Sequence, residues 1–303
     1  MNVKKPCVFI QTNEKQLIGA LVSAHSLKRN SKTPDAFDVK IMHAEDYPYF
    51  QAREGQIYLR DGVKRPWQND DLQSFTPTRF MPPELMGYQG RAVVIDPDVF
   101  AVGDIMELLN RDMQGKAIMC RLQNTRKKYS TSVMLLECAK LRHWQVEKQF
   151  NELFELKRDY IDWTGLALED ESTIGIFEPE WNDFDNLTPQ TKMIHNTKRR
   201  TQPWKTGLHV DFFPPDRISY FQPWIWLMAA RRKVFGNYGL LGHYQPHPDP
   251  NQEKFFFGLL KECLDKGIVT EALLRTHMRA NHIRHDAFDV LKRMAAAPSP
   301  IAA

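Results

Sequence analysis

The stretch RAVVIDPDVFAVGDI, residues 91–105, holds an apolar run that stops abruptly at two carboxylates. Val93, Val94 and Ile95 read as a buried strand, because a strand covered on both faces is apolar without alternation. Asp96 and Asp98 follow on an Asp-Pro-Asp turn, and apolar residues then resume as far as a helix start at Gly103-Asp104. In an open parallel sheet, ligands bind beyond the carboxyl ends of the strands. Residues two apart on extended chain point to the same side. Both carboxylates can therefore converge on one hard cation, such as magnesium or manganese. Asp-Pro is equally a common turn initiator, so the pair needs support from elsewhere in the chain.

Outward from this turn, strands alternate with helices. Upstream, CVFIQT (residues 7–12) reads as a short buried strand, and the polar loop TNEKQ leads into LIGALVSAHSLKRN. There Leu17, Ala20, Leu21, Ala24 and Leu27 recur at helical spacing, with Lys28 and Arg29 at the end where the helix dipole favours cations. FDVKIMHA (residues 37–44) predicts a second strand. Residues 46–75 show no clear period and read as irregular, and Pro82-Pro83 breaks a short helix in TRFMPPELMGYQG. Downstream, GDIMELLNRDM predicts a short helix, AIMCRL and STSVMLLE two strands, and RHWQVEKQFNELFELKRD an amphipathic helix. Such alternation predicts an α/β sandwich around a mostly parallel sheet. From residue 250 the chain reads as helix in two or three segments broken near Gly267, and the closing AAAPSPIAA reads as disordered. The expected organisation is a main α/β domain over residues 1–245, a helical extension over 246–296 and a tail over 297–303. The Pro-rich stretch HYQPHPDPNQ marks the first junction.

With 303 residues, 42% hydrophobic and 26% charged, the chain can bury a sizeable core and is not wholly disordered. A net charge of +4 is too small to imply nucleic acid as a partner. Cys7, Cys120, Cys138 and Cys263 form no CxxC pair and read as reduced core thiols, which argues against a disulfide framework or a zinc site. The apolar run at residues 7–10 is too short for a signal peptide or a membrane span, so a soluble cytoplasmic protein is expected.

Four segments, taken in order, place the acidic turn in a wider pattern. TNEKQLIGALVSAHSLK (residues 12–28) resembles the opening loop and helix of glycosyltransferase family 8, which includes glycogenin and bacterial galactosyl- and glucosyltransferases. Residues 78–109 are similar to the family's basic residue, short helix and Asp-x-Asp motif. YSTSVMLLE (residues 129–137) stands where the family has Asn-Ser-Gly and an apolar strand, and MIHNTKRRTQPWKTG (residues 193–207) resembles its His-x-x-Gly-x-x-Lys-Pro-Trp segment. The resemblance spans residues 5–210.

It implies a GT-A fold, with a Rossmann-like, mostly parallel sheet flanked by helices, and makes the main domain a nucleotide-sugar-binding catalytic domain. The implied activity is metal-dependent transfer of a hexose, with retention, from a UDP-linked or other nucleotide-diphosphate donor to a sugar, lipid or protein acceptor. Asp96, Asp98 and His195 would hold manganese or magnesium. Thr12 and Asn13 would meet the base and ribose, and Arg79 the phosphates or donor sugar. Lys198 and Lys205, with Arg199 and Arg200, would face the departing diphosphate, whose developing charge needs a cation and basic side chains.

The chain also departs from the family pattern. Gln16 occupies the slot of a tyrosine that stacks on the base, and Ser130-Thr131-Ser132 replaces Asn-Ser-Gly. An Asp-Gln pair facing the transferred sugar has no clean match, and Asp159 and Asp162 are the nearest catalytic candidates. Gln202-Pro203-Trp204 stands in place of Lys-Pro-Trp, with Lys205 immediately after. Two alternatives stay open. One is a sugar-phosphate nucleotidyltransferase, although that class usually opens with a Gly-rich loop and a lysine where this chain has TNEKQ. The other is a non-catalytic sugar-nucleotide-binding protein. SYFQPWIWLMAARRKVFGNYG (residues 219–239) reads either as a core helix or as a peripheral membrane contact. The basic stretch RTHMRANHIRH (residues 275–285) reads as a solvated helix face or a homo-oligomer interface.

Overall fold

Six consecutive buried residues form β1 (Cys7–Thr12). Their run lacks alternation because the strand has a parallel neighbour on each side and a packed layer on each face. The computed structural model describes residues 4–123, 128–212 and 239–294, together with Leu227, Ala230, Arg231, Val234 and Phe235. Two compact units divide it, Met1–His195 and Asn196–Ala303, at a point earlier than the composition change on which the expected boundary at 245 rested.

In the first unit, β1 is followed by α1 (Leu17–Arg29), β2 (Asp38–His43), α2 (Pro48–Gln51), β3 (Ile57–Arg60), β4 (Val63–Pro66) and α3 (Pro82–Leu85). Next come β5 (Arg91–Ile95), β6 (Val99–Ala101), α4 (Ile105–Leu109), β7 (Ile118–Leu122), β8 (Tyr129–Glu137) and α5 (Val146–Phe154). The unit ends with α6 (Tyr160–Thr164), β9 (Ile174–Ile176), β10 (Asp183–Phe184) and β11 (Met193–His195). The central sheet has the order β2-β1-β5-β8-β7-β9, and β8 alone runs against its neighbours. The architecture is thus α/β with a mostly parallel sheet, as the alternation predicts. Side-chain alternation splits the core between the two faces. Phe9 and Val94 join Phe80, Trp144, Phe150 and Trp163 on one face, while Val8, Ile10, Val93 and Ile95 join Leu27, Leu108 and Phe177 on the other.

A second, three-stranded sheet, β10-β11-β6, positions the acidic turn. β6 and β11 are antiparallel, with Val99 opposite His195 and Ala101 opposite Met193. α1 supports this sheet from one side. Ser23 Oγ donates to the Val99 carbonyl at 2.6 Å, and Ser26 Oγ accepts from Ala101 N at 2.8 Å. Gly19 lets the helix approach the turn, since a Cβ there would lie 2.7 Å from the Pro97 carbonyl oxygen.

Residues 46–75 are not irregular. They contain α2 and the β3–β4 hairpin, whose tip is Asp61-Gly62 at φ 58° and 70°. Positive φ at both tip residues is the requirement of a type I′ turn, for which Asp-Gly is a preferred pair. The β3–β4 tip is held by Asp159, a residue expected at the active site. Its carboxylate accepts from Asp61 N at 3.0 Å, Gly62 N at 2.9 Å and Ile161 N at 2.7 Å, the last as the N-cap of α6.

The second unit contains helices Pro250–Asp265, Glu271–Arg279 and Ala287–Arg293. Asp249 and Thr270 cap the first two, accepting from Asn251 N at 2.9 Å and Leu273 N at 3.1 Å. Gly267, at φ 68°, follows the end of the first helix, where the sequence predicts a break. Trp204 packs on Phe256 with ring centroids 4.7 Å apart, and Arg284 holds Asp286 at 2.6 Å. The tail AAAPSPIAA and most of residues 219–239 lie outside the described residues. Among the described residues, no helix is long and apolar enough to cross a membrane.

Burial opposes the charge on Asp159, but the backbone N–H groups of Gly62, Asp61 and Ile161 outweigh it and hold the carboxyl below its ordinary pKa. A carboxyl lowered in this way stabilises the fold above its unfolded pKa, and the contribution fades as pH falls through the folded value. Asp159→Ala should therefore cost about 1–2 kcal/mol near neutral pH, and less in strong acid. Urea unfolding at a series of pH values measures the difference.

Candidate functional site

The sheet register gathers the predicted metal ligands. β5 ends at Ile95, and the following turn is closed by Val99 N donating to the Asp96 carbonyl at 3.2 Å. Asp96 N also donates to the Ser132 carbonyl on β8 at 2.9 Å, which fixes the turn to the central sheet. His195 ends β11 opposite Val99, one residue beyond Asp98. Asp96, Asp98 and His195 each present a ligand atom, and these atoms lie within 4.8 Å of one another. His195 Nε2 is 3.4 Å from Asp98 Oδ1.

A buried amide orients the imidazole. His195 Nδ1 donates to Asn182 Oδ1 at 2.9 Å, while Asn182 Nδ2 donates to Ser130 Oγ and Ser132 Oγ, both at 3.0 Å. Placing the ring proton on Nδ1 leaves Nε2 with its lone pair directed to the carboxylate side. Phe184 packs on the same ring in an edge contact, with centroids 5.6 Å apart, and Arg121 lies 3.9 Å over the Phe184 ring. Two carboxylates and one neutral imidazole form a donor set suited to manganese or magnesium, and the locked tautomer fits that use.

Asp96 is surrounded by donors. Gln11 Nε2 and Arg79 Nη2 both reach its Oδ1, the arginine at 2.9 Å, and Arg79 Nη1 also donates to Thr131 Oγ1. Burial pushes the Asp96 carboxyl above its ordinary pKa; Arg79 pulls it down, and the Asp98 charge pushes it up again. Burial works against a charged His195, yet the Asp98 carboxylate outweighs it and holds the imidazole above its ordinary value. Two carboxylates beside one guanidinium leave the cluster with an excess of negative charge.

The other candidates fall in distinct places. Thr12 and Asn13 are buried at the end of β1, and Asn13 Nδ2 donates to the Asp71 carbonyl and Ser74 Oγ at 3.1 and 3.2 Å. Gln16 is buried as well, and the oxygens Gln11 Oε1, Asn13 Oδ1 and Gln16 Oε1 find no donor among the described residues. Arg79, which the sequence alone left as a surface residue or a ligand contact, is buried against Asp96. Asp162 is exposed in the first turn of α6, whereas Asp159 is the cap described above. Lys198 and Lys205 belong to the second unit. Lys198 is exposed, and Lys205 is fully buried with Nζ 2.7 Å from Asp211 Oδ2. Sequence reasoning missed Gln11 and Asn182. For Gln11 a signal existed, an amide interrupting the apolar run CVFIQT; Asn182 sits in an unpatterned stretch.

No protein-family model matches the chain, and no curated protein does. Solved structures of sugar transferases resemble it. The galactosyltransferase LgtC, in complex with donor and acceptor sugar analogues, shares 14% identity at a TM-score of 0.45, covering 66% of this chain and 89% of that one. The glycosyltransferase GlyE of Streptococcus pneumoniae TIGR4 shares 14% at 0.48, covering 88% of this chain and 64% of its own. Mouse xyloside xylosyltransferase 1 shares 13% at 0.41, covering 64% and 97%. At these scores the likeness carries no weight for substrate or reaction.

Removing the amide that orients His195 tests the geometry. Asn182→Ala should weaken manganese binding by roughly 10–100-fold, since the amide sets the imidazole tautomer and ring angle. Isothermal titration with manganese, beside a melting curve to confirm folding, measures the loss.

Proposed function

We propose that the first unit carries the catalytic centre of a divalent-cation-dependent glycosyltransferase of GT-A architecture. It takes a hexose from a UDP-linked donor and passes it, with retention, to a sugar, lipid or protein acceptor. The supporting observation is the meeting of Asp96, Asp98 and His195 just past the end of β5, the edge where open sheets bind ligands. When bound there, manganese or magnesium would neutralise charge developing on the departing diphosphate.

The remaining roles fall to side chains. Arg79, tied to Asp96 and Thr131, supplies a fixed positive charge that needs no reorganisation when the diphosphate leaves. The buried turn of Thr12, Asn13 and Gln16 takes the nucleoside. Lys205 is already committed to Asp211, which argues for a structural share in its role. Of the two acidic candidates for the sugar, Asp162 is carried forward, because three backbone N–H groups occupy Asp159. A retaining reaction in which the acceptor hydroxyl attacks the same face, assisted by the leaving phosphate, requires no protein nucleophile. The nucleotidyltransferase alternative is disfavoured by the β1–α1 turn, which lacks glycine and whose Lys15 donates to the Asp70 carbonyl at 2.7 Å.

Donor hydrolysis decides between enzyme and binding protein. UDP-hexose should be cleaved only with manganese or magnesium, and Asp98→Asn or His195→Ala should lower turnover by roughly 100-fold or more. Undiminished turnover in excess EDTA would rule out the cation. Tight nucleotide binding without turnover of any hexose donor would favour the binding protein.

A further inference from the structure

Arg121 lies at the carboxyl end of β7, on the same edge of the central sheet as Asp96. Both β5 and β7 run against β8, so their carboxyl ends emerge together. The β7–β8 pairing shifts register between Cys120 and Arg121, and Arg121 pairs with Ser130 beyond the shift. Such a bulge re-aims the side chain that follows it. Arg121 is thereby brought to the groups that orient His195. Its Nη1 donates to the Asn182 carbonyl at 2.5 Å, and its guanidinium lies 3.9 Å over the Phe184 ring.

These contacts hold the guanidinium without neutralising it. Among the described residues Arg121 forms no ion pair, and the bond from Nη1 is the one hydrogen bond its guanidinium makes. Asp183 and Glu180 act on it from further off, yet burial outweighs them and holds Arg121 below its ordinary pKa. Nε is buried with no acceptor among the described residues. A donor left in that state costs free energy, which a bound acceptor recovers. The hydrogens of Nε and Nη2 lie along one edge of the planar group, the edge that takes two oxygens of a carboxylate or phosphate side by side. Arg79 differs, because its guanidinium is already tied to Asp96 and Thr131.

The geometry points to Arg121 as an anion-binding residue of the donor site, its Nε–Nη2 edge taking two oxygens of a donor oxyanion. That oxyanion is the diphosphate or a carboxylate on the transferred sugar. The inference rests on the proposed function and adds a side chain that the proposed roles leave unused.

Titration calorimetry of the full chain in manganese, with UDP, UDP-glucose and UDP-glucuronate as probes, tests it. Arg121→Gln removes the fork, and Arg121→Lys keeps a positive charge without it. If the diphosphate is the anion, both variants should bind all three probes about tenfold or more weakly than the wild type. If a sugar carboxylate is the anion, UDP-glucuronate alone should lose that affinity. Manganese without nucleotide is titrated alongside, because a loosened Asn182 would weaken the cation too. The nucleotide loss should exceed the manganese loss by about tenfold. If Arg121→Gln melts early, Arg121→Lys carries the test. A nucleotide loss that only tracks the manganese loss, or full affinity in a folded variant, would overturn the inference and leave the proposed function standing. A wild type that binds none of the three probes would remove the donor site itself, and the inference with it.

Discussion

The pairing of two three-residue strands sets the geometry of the acidic turn. β6 and β11 align Val99 with His195, and the imidazole therefore reaches the turn that immediately precedes β6. A slip of one residue would send the imidazole to the other face of the sheet, because side chains alternate. What prevents the slip is apolar: Val99, Phe100, Ala101, Met193 and Ile194 are all fully buried. The entropic cost of closing so long a loop is therefore met by core packing during folding. A cation arriving at such a site has little left to order, which is the condition under which binding energy is not spent on reorganisation.

The charges form a second constraint. Two half-buried carboxylates sit on the turn, and Arg79 supplies the nearest fixed positive charge. Two carboxylates against one guanidinium leave an excess of negative charge; burial holds the Asp96 carboxyl, and the Asp98 carboxylate the His195 imidazole, above their ordinary pKa values. A divalent cation would reverse the balance to a net positive charge, the sign that a leaving diphosphate requires. The same arrangement explains why Gln11 donates to Asp96, since an amide removes a lone pair from solvent without changing the charge count.

The sequence displayed most clearly what repeats locally or ends abruptly. The apolar run of β1, the helical spacing of α1 and the break from Val93-Val94-Ile95 into Asp96 are all properties of neighbouring residues. The β3–β4 hairpin was hidden by its polar strands, although Asp61-Gly62 was a usable turn signal. Asp159 shows the limit of counting carboxylates, because whether one is free for chemistry depends on backbone N–H groups nearly a hundred residues away. Lys205 makes the same point for basic residues: the run it closes suggests a phosphate contact, yet its charge is matched by Asp211. Asn182 was silent in the sequence because its effect on His195 exists only after β10 and β11 have paired.

The β1–α1 turn is where the chain departs most consequentially from the family it resembles. A tyrosine at position 16 would offer an aromatic face, which holds any base by area. Gln16 offers an amide whose oxygen is buried without a donor, as are those of Gln11 and Asn13 among the described residues. Each such oxygen costs about 1–3 kcal/mol while unpaired, a cost that a bound group with N–H or O–H donors recovers. Selection by paired donors is also sharper than selection by stacking, because a wrong base leaves the buried oxygens unpaired. Under the proposed function, an amide in place of an aromatic ring would move the choice of nucleoside at this turn from contact area to hydrogen-bond pattern.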